Sequence, residues 1–175
     1  MRFRLTSVII VLLLSIGFSV VESPTASSTR ATGKDSAQNP TTMTNHATGT
    51  FEVKLTPQDD KSQDKTLGRM TIDKQWRGDL EGNSTGQMLT GGDAAKGSAG
   101  YVAIEKVTGT LKGKKGTFIF QHSGTMNRGE AALSITVVPD SGTDELQGLV
   151  GTMTIKIENG KHFYDFEYKI NCPCE

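Results

Sequence analysis

Few side chains in this sequence can do chemistry, and two of them share a face with large apolar neighbours. His122 follows Phe118 and Phe120 at every second position, so on a strand all three point to one side. An imidazole among aromatic rings fits a structural role, bonded to a hydroxyl or carbonyl of an adjacent strand. It also fits a ligand contact or a general base. Glu105 is in phase with Tyr101, Ala103, Val107 and Leu111, while Val102 and Ile104 compete for the inward face, and a bulge would switch the two sets. An inward Glu105 loses hydration, which raises its pKa unless a cation such as Lys74 pairs with it. A buried unpaired charge costs several kcal/mol, so a partner is expected. Glu105 therefore reads as half of an ion pair, as an outward carboxylate, or as an acid facing a ligand. Glu105 and His122 are the acid/base candidates if the protein is an enzyme.

Around them stand aromatic residues. Trp76 is in phase with Ile72 and Met70, with Lys74 among them. It suits core packing or a platform for an apolar ligand. Tyr101 and Tyr164 offer hydroxyls toward the same interior. The expected ligand-contacting set is Trp76, Tyr101, Glu105, Phe118, Phe120, His122 and Tyr164. His162, beside a hairpin, and His46 read as surface residues. Three scattered histidines without H-x-H or H-x-x-x-H spacing give no metal site. Gly-rich stretches with no helix after them give no phosphate cradle. Ser123 lacks the G-x-S-x-G setting of a nucleophile elbow. No cofactor is expected.

The elements that must position these side chains are strands. Period-two alternation marks segments 48–55, 67–76, 79–89, 101–111, 117–125, 131–138, 149–158 and 162–170. The last is the cleanest, with His162, Tyr164, Phe166, Tyr168 and Ile170 against Asp165, Glu167 and Lys169. Asn159-Gly160 is a two-residue type I′ hairpin signal. Gly113-Lys114-Lys115-Gly116 reads as a tight hairpin with glycine at both corners. No segment has apolar residues at helical spacing over three turns. Eight consecutive strands joined by short turns form an antiparallel up-and-down meander, and closing it removes exposed edges. The expected fold is an all-β, eight-stranded barrel, whose interior is filled by side chains or holds one small ligand. A two-sheet sandwich is the alternative.

Before the strands lies a different kind of segment. Arg2 and Arg4 precede an apolar run from Leu5 to Val21, ended by Glu22, Ser23 and Pro24. That is the pattern of a cleaved secretory signal peptide over residues 1–23. Residues 24–46 are small and polar and read as a flexible linker. The barrel domain is expected over 47–170. The tail 171–175 carries Cys172-Pro173-Cys174 and reads as a disordered tail; the two cysteines could bridge each other only with strain, and the alternatives are that they link two chains or bind a soft metal. The protein is expected to be secreted or periplasmic. The chain is 175 residues with 19 basic and 19 acidic side chains, which argues against a broad basic surface for nucleic acid. No membrane association is expected beyond the signal segment.

Five segments carry a resemblance: Ala47-Thr48-Gly49-Thr50-Phe51, Gly78-Asp79-Leu80-Glu81-Gly82, Glu105-Lys106-Val107-Thr108-Gly109, Phe120-Gln121-His122-Ser123-Gly124 and Val138 through Leu149. In order and spacing the chain resembles, over about 47–170, a bacterial family of small proteins known as a domain of unknown function. The resemblance implies a closed barrel similar to that of allene oxide cyclase, an enzyme that cyclises a fatty-acid epoxide. No motif of that enzyme is matched residue by residue, so none of its catalytic positions carries over. The functional expectation is binding of a small apolar, lipid-like ligand. The alternatives are an isomerase or cyclase on a lipid-like substrate, and a solid barrel with a structural or interaction role.

Overall fold

The computed structural model describes residues 44–58 and 66–171. The expected signal segment, the linker up to residue 43 and the Cys172-Pro173-Cys174 tail lie outside the described residues. Eight strands follow in order: β1 (Asn45–Pro57), β2 (Leu67–Gly78), β3 (Leu80–Asp93), β4 (Ser98–Leu111), β5 (Lys114–Asn127), β6 (Glu130–Val137), β7 (Leu149–Glu158) and β8 (Lys161–Ile170). Each pairs antiparallel with the next, and β1 pairs with β8. The meander is therefore a closed barrel, and the sandwich alternative falls away. The helical content of the described residues is two single 3-10 turns, Ala94–Lys96 and Asp144–Leu146.

The strands form where side chains alternate between two environments. On β8, Tyr164, Phe166 and Tyr168 are buried while Asp165 and Glu167 are exposed. The two competing faces of β4 resolve without a bulge. Val107 lies opposite Phe118 and Glu105 opposite Phe120, and directly opposed residues share a face. Burial of the two phenylalanines thus carries Val107 and Glu105 inside, and leaves Val102 and Ile104 about half exposed.

Three hairpins use two-residue turns with both residues at positive φ: Lys112-Gly113, Arg128-Gly129 and Asn159-Gly160. The hairpin expected over 113–116 is thus one residue earlier and tighter. Lys114 already pairs with Leu111, and Gly116 pairs with Gly109 inside the sheet. A Cβ at Gly116 would stand 2.3 Å from the Thr143 carbonyl oxygen, so this glycine serves a close approach rather than a turn. Likewise β1 begins at Asn45, which puts His46 in a strand. Its Nδ1 is 2.9 Å from Asp165 Oδ1 at the surface.

Two ends of the barrel are built differently. The end bearing the 78–80 and 112–113 turns is filled. Trp76, Leu80, Leu111, Phe118, Phe120 and Phe166 are almost wholly buried there. Phe120 packs edge-on to Phe118 and Phe166 with ring centroids 4.9 and 5.2 Å away, the favoured aromatic geometry. Segment 138–148 closes this end. It takes over as the neighbour of β5 where β6 has ended: Val138 N donates to Ile119 O (2.8 Å) and Thr143 N to Thr117 O (2.9 Å). Leu146, 1% exposed, then plugs the opening.

The wall has one weak seam. Neighbouring strands pair over seven residues or more elsewhere, but β6 and β7 share a single register pair, Thr136 with Thr152. Toward the end opposite the plug, the two strands diverge.

Candidate functional site

The half of the barrel away from the aromatic plug is an open cup. Its cavity is about 300 Å³, at the small end of ligand pockets. Five strands supply most of the apolar lining: Leu55 of β1, Met70 and Ile72 of β2, Met88 of β3, Met126 of β5 and Ile155 and Ile157 of β7. Methionine is unbranched and polarizable, so three of them make an adaptable surface. Leu133 of β6 also lines the cup and is 39% exposed, because it stands at the open seam.

The floor of the cup is polar. Lys74 Nζ donates to Glu105 Oε2 at 2.7 Å, with the two side chains 6% and 0% exposed. Ser84 donates to the other carboxylate oxygen, and Trp76 Nε1 donates to Ser84 Oγ at 2.8 Å. Both oxygens of a fully buried carboxylate are thereby occupied, as burial demands. Lys74 Nζ also sits 4.7 Å from the Phe51 ring centroid and 4.8 Å from that of Trp76, close enough for cation–π attraction.

Electrostatics follow from this packing. Burial alone would raise the Glu105 pKa, but the nearby His122 ring, the Lys74 ammonium and the Ser84 hydroxyl outweigh it and hold the carboxyl down at about 2. Burial lowers Lys74 from its usual range against the pull of Glu105. The pair is an ion pair, since each charge is the other's main compensation. Burial and the Glu105 charge push the Tyr101 phenol up, so its hydroxyl keeps its proton. Burial and Lys74 lower His162.

His122 completes the floor. Its Nε2 stands 3.0 Å from Glu105 Oε2, yet the angle is wrong for a hydrogen bond. Among the described residues, Nε2 is a buried polar atom with no hydrogen-bond partner. Tyr101 lies directly opposite Gly124 in the sheet. A Cβ there would come within 2.3 Å of the ring, so the phenol lies flat across β5 on the cup wall.

The structure splits the expected ligand-contacting set. Tyr101 and His122 line the cup. Glu105 is beneath it, reached through Lys74 and His122. Trp76, Phe118, Phe120 and Tyr164 belong to the packed half and line no part of the cavity. The Tyr164 hydroxyl is spent on the backbone, accepting from Leu80 N at 2.8 Å. Conversely, His162, expected at the surface, lines the cup and stacks on Phe51 with centroids 4.8 Å apart. Its phase with Tyr164 and Phe166 was the signal: proximity to a hairpin does not reverse the parity of a strand. Lys74, anticipated as a counterion, is itself a cavity residue. No group of three or more potential metal ligands occurs among the described residues.

Closed strand order and a half-filled interior define a small antiparallel up-and-down β-barrel with one internal cup. Within that class the chain belongs to the DUF3224 family of proteins of unknown function, whose model matches residues 47–168. It is similar to a solved protein of unknown function from the DUF3224 family of Shewanella oneidensis MR-1. The two are 49% identical with a TM-score of 0.70, over 74% of this chain and 99% of that one. Among curated proteins nothing matches the chain.

Proposed function

We propose that this protein is exported and binds one small, largely apolar molecule whose uncharged polar end rests on the cup floor. The observation that carries this reading is the His122 Nε2 atom, buried and without a hydrogen bond on the floor of an apolar cavity. A buried polar atom left unsatisfied costs about 1–3 kcal/mol, and a ligand hydroxyl or carbonyl would recover that. A carboxylate is a poorer fit. The Lys74 charge is already neutralised by Glu105, so a second anion would enter an apolar site without a counterion. The diverging β6–β7 seam, with Leu133 and Ile155 on its two sides, offers a side entrance. Export rests on the basic-then-apolar pattern of residues 1–23.

Native mass spectrometry of protein purified from its own host, followed by extraction and identification of bound material, tests the reading. One co-purifying apolar compound per chain is expected. A ligand-free protein that also takes up no added alcohols or ketones would overturn it.

A second reading has one observation in its favour. An isomerase or cyclase similar in fold to allene oxide cyclase would need Glu105 and His122 on the same side of the barrel, and they are 3.0 Å apart. Because Glu105 is wholly buried, His122 would touch the substrate and Glu105 would only position it. Chemical change of the bound compound on the protein, abolished in His122→Gln with binding retained, would favour catalysis over storage or transport.

A further inference from the structure

The floor of the cup places one primary amine beside a carboxylate and an imidazole. Lys74 is enclosed, with 6% of its side chain exposed. Its ammonium is clasped by Phe51 and Trp76 and faces a cavity walled mostly by apolar side chains. A lysine desolvated in an apolar pocket is the usual setting for imine chemistry. What separates this site from an ordinary buried ion pair is its geometry. The one carboxylate oxygen that accepts from Lys74 Nζ at 2.7 Å is also 3.0 Å from the unpartnered His122 Nε2.

We propose that Lys74 condenses reversibly with an aldehyde or ketone group on an apolar ligand, forming an iminium ion held by Glu105. This deepens the binding reading and rests on it. In the step, Lys74 gives up one proton to the His122 imidazole by way of Glu105 Oε2, which touches both groups, and its lone pair attacks the carbonyl carbon. The C–N bond forms as the C=O π pair moves to oxygen, and that oxygen takes a second proton from the nitrogen to become the hydroxyl of a neutral carbinolamine. The resulting carbinolamine loses its hydroxyl as water, with a proton returned from His122, and the nitrogen lone pair forms the C=N bond. Overall, one ammonium and one carbonyl become one iminium and one water, with charge unchanged and no oxidant or reductant needed.

Glu105 serves before and after. The ammonium N–H that it accepts becomes the iminium N–H, and in between the positive charge sits on His122, whose Nε2 is 3.0 Å from the same oxygen, so the buried carboxylate keeps a cationic neighbour throughout. That continuity matters, because an unpaired charge at this depth would cost several kcal/mol. The surface lysines lack this setting: Lys96 and Lys156 are 82% and 74% exposed, each beside an exposed carboxylate.

The test uses nonanal as carbonyl probe, nonanol as its non-condensing counterpart, and cyanoborohydride to trap any imine. Peptide mapping of the protein is expected to show alkylation at Lys74 at least about tenfold above any surface lysine, since a bound aldehyde is held against the amine. Excess nonanol should suppress it. Lys74→Arg, which keeps a cation beside Glu105, should lose the trapped product while still binding nonanol by native mass spectrometry. Should that variant not fold, Lys74→Met combined with Glu105→Gln removes both charges and serves the same purpose. Uniform labelling of surface lysines with none in excess at Lys74, while nonanol still binds, overturns the covalent step and leaves the binding reading standing. Failure of nonanol to bind as well overturns both.

Discussion

Glu105 is the least hydrated ionisable group described in this protein, and its neighbours show what keeps it charged. Two donors, Lys74 and Ser84, occupy its two oxygens, the first with a full positive charge, and the His122 ring stands 3.0 Å from one of them. Removing a single partner from such a pair typically costs about 3–5 kcal/mol, whereas replacing both by apolar residues is often neutral. Urea unfolding should therefore show Lys74→Met and Glu105→Leu each strongly destabilised, and the double variant much closer to wild type. A double variant as unstable as both singles added together would show that the two residues do not act as a pair. The same carboxyl sets an acid limit. Its folded pKa of about 2 lies below the ordinary 4.5, so the unfolded chain binds the extra proton between those values. The stabilisation is complete above about pH 4.5 and is lost as pH falls toward 2. Urea midpoints measured across that window should fall steeply for wild type and less steeply for Lys74→Met/Glu105→Gln. Parallel slopes would assign the acid sensitivity elsewhere.

At the scale of elements, the β6–β7 seam and the Tyr101–Gly124 contact govern access to the cup. Amide hydrogen exchange should find the β6 amides that face β7 exchanging much faster than those of the β4–β5 ladder, because paired register there is one residue pair against an uninterrupted run. Equal protection on both ladders would mean that the seam is closed in solution. Gly124→Ala should displace the Tyr101 ring into the cup, since the added carbon would overlap it. The expected result is weaker probe binding together with a loss of stability, read by nonanol titration and thermal unfolding. Much of this architecture was legible in the sequence. Period-two alternation gave all eight strands, Asn159-Gly160 gave its turn, and the need to compensate an inward Glu105 pointed to Lys74. The seam was not legible, because strand pairing depends on where segment 138–148 lands, and that segment hydrogen-bonds to β5 instead of extending β6.

At the scale of the whole molecule, the barrel is neither hollow nor solid. Its aromatic plug draws Trp76 from the end of β2, Leu111 from the end of β4, Phe118 from the start of β5 and Phe166 from β8. Antiparallel neighbours run in opposite directions, so residues at one height lie far apart in the chain. Strand-by-strand alternation says which residues point inward but not at what level, and this is why Phe118, Phe120, Trp76 and Tyr164 looked equivalent to Tyr101 and His122. Sorting inward residues by height, once the meander is known, separates the packed cluster of Trp76, Phe118, Phe120 and Phe166 at one end from a lining at the other that is mostly methionine, leucine, isoleucine, glycine and alanine with Phe51, Tyr101, His122 and His162 among them. That division of labour leaves the plug to supply stability, so the cup can stay open. Filling the cup with Met88→Trp should abolish nonanol uptake while the thermal midpoint is kept or raised; a large loss of stability would show that the cavity is smaller or less tolerant than described.

The most direct test of this account is a nonanol titration followed by two-dimensional NMR on the methyl groups of methionine, leucine and isoleucine. Saturable shifts confined to Met70, Met88, Met126, Leu133 and Ile155, with Leu80, Leu111 and Leu146 of the plugged end unmoved, are the predicted result. Shifts that never saturate, or that spread over outward residues such as Leu89 and Ile104 while the cup methyls stay still, would contradict it.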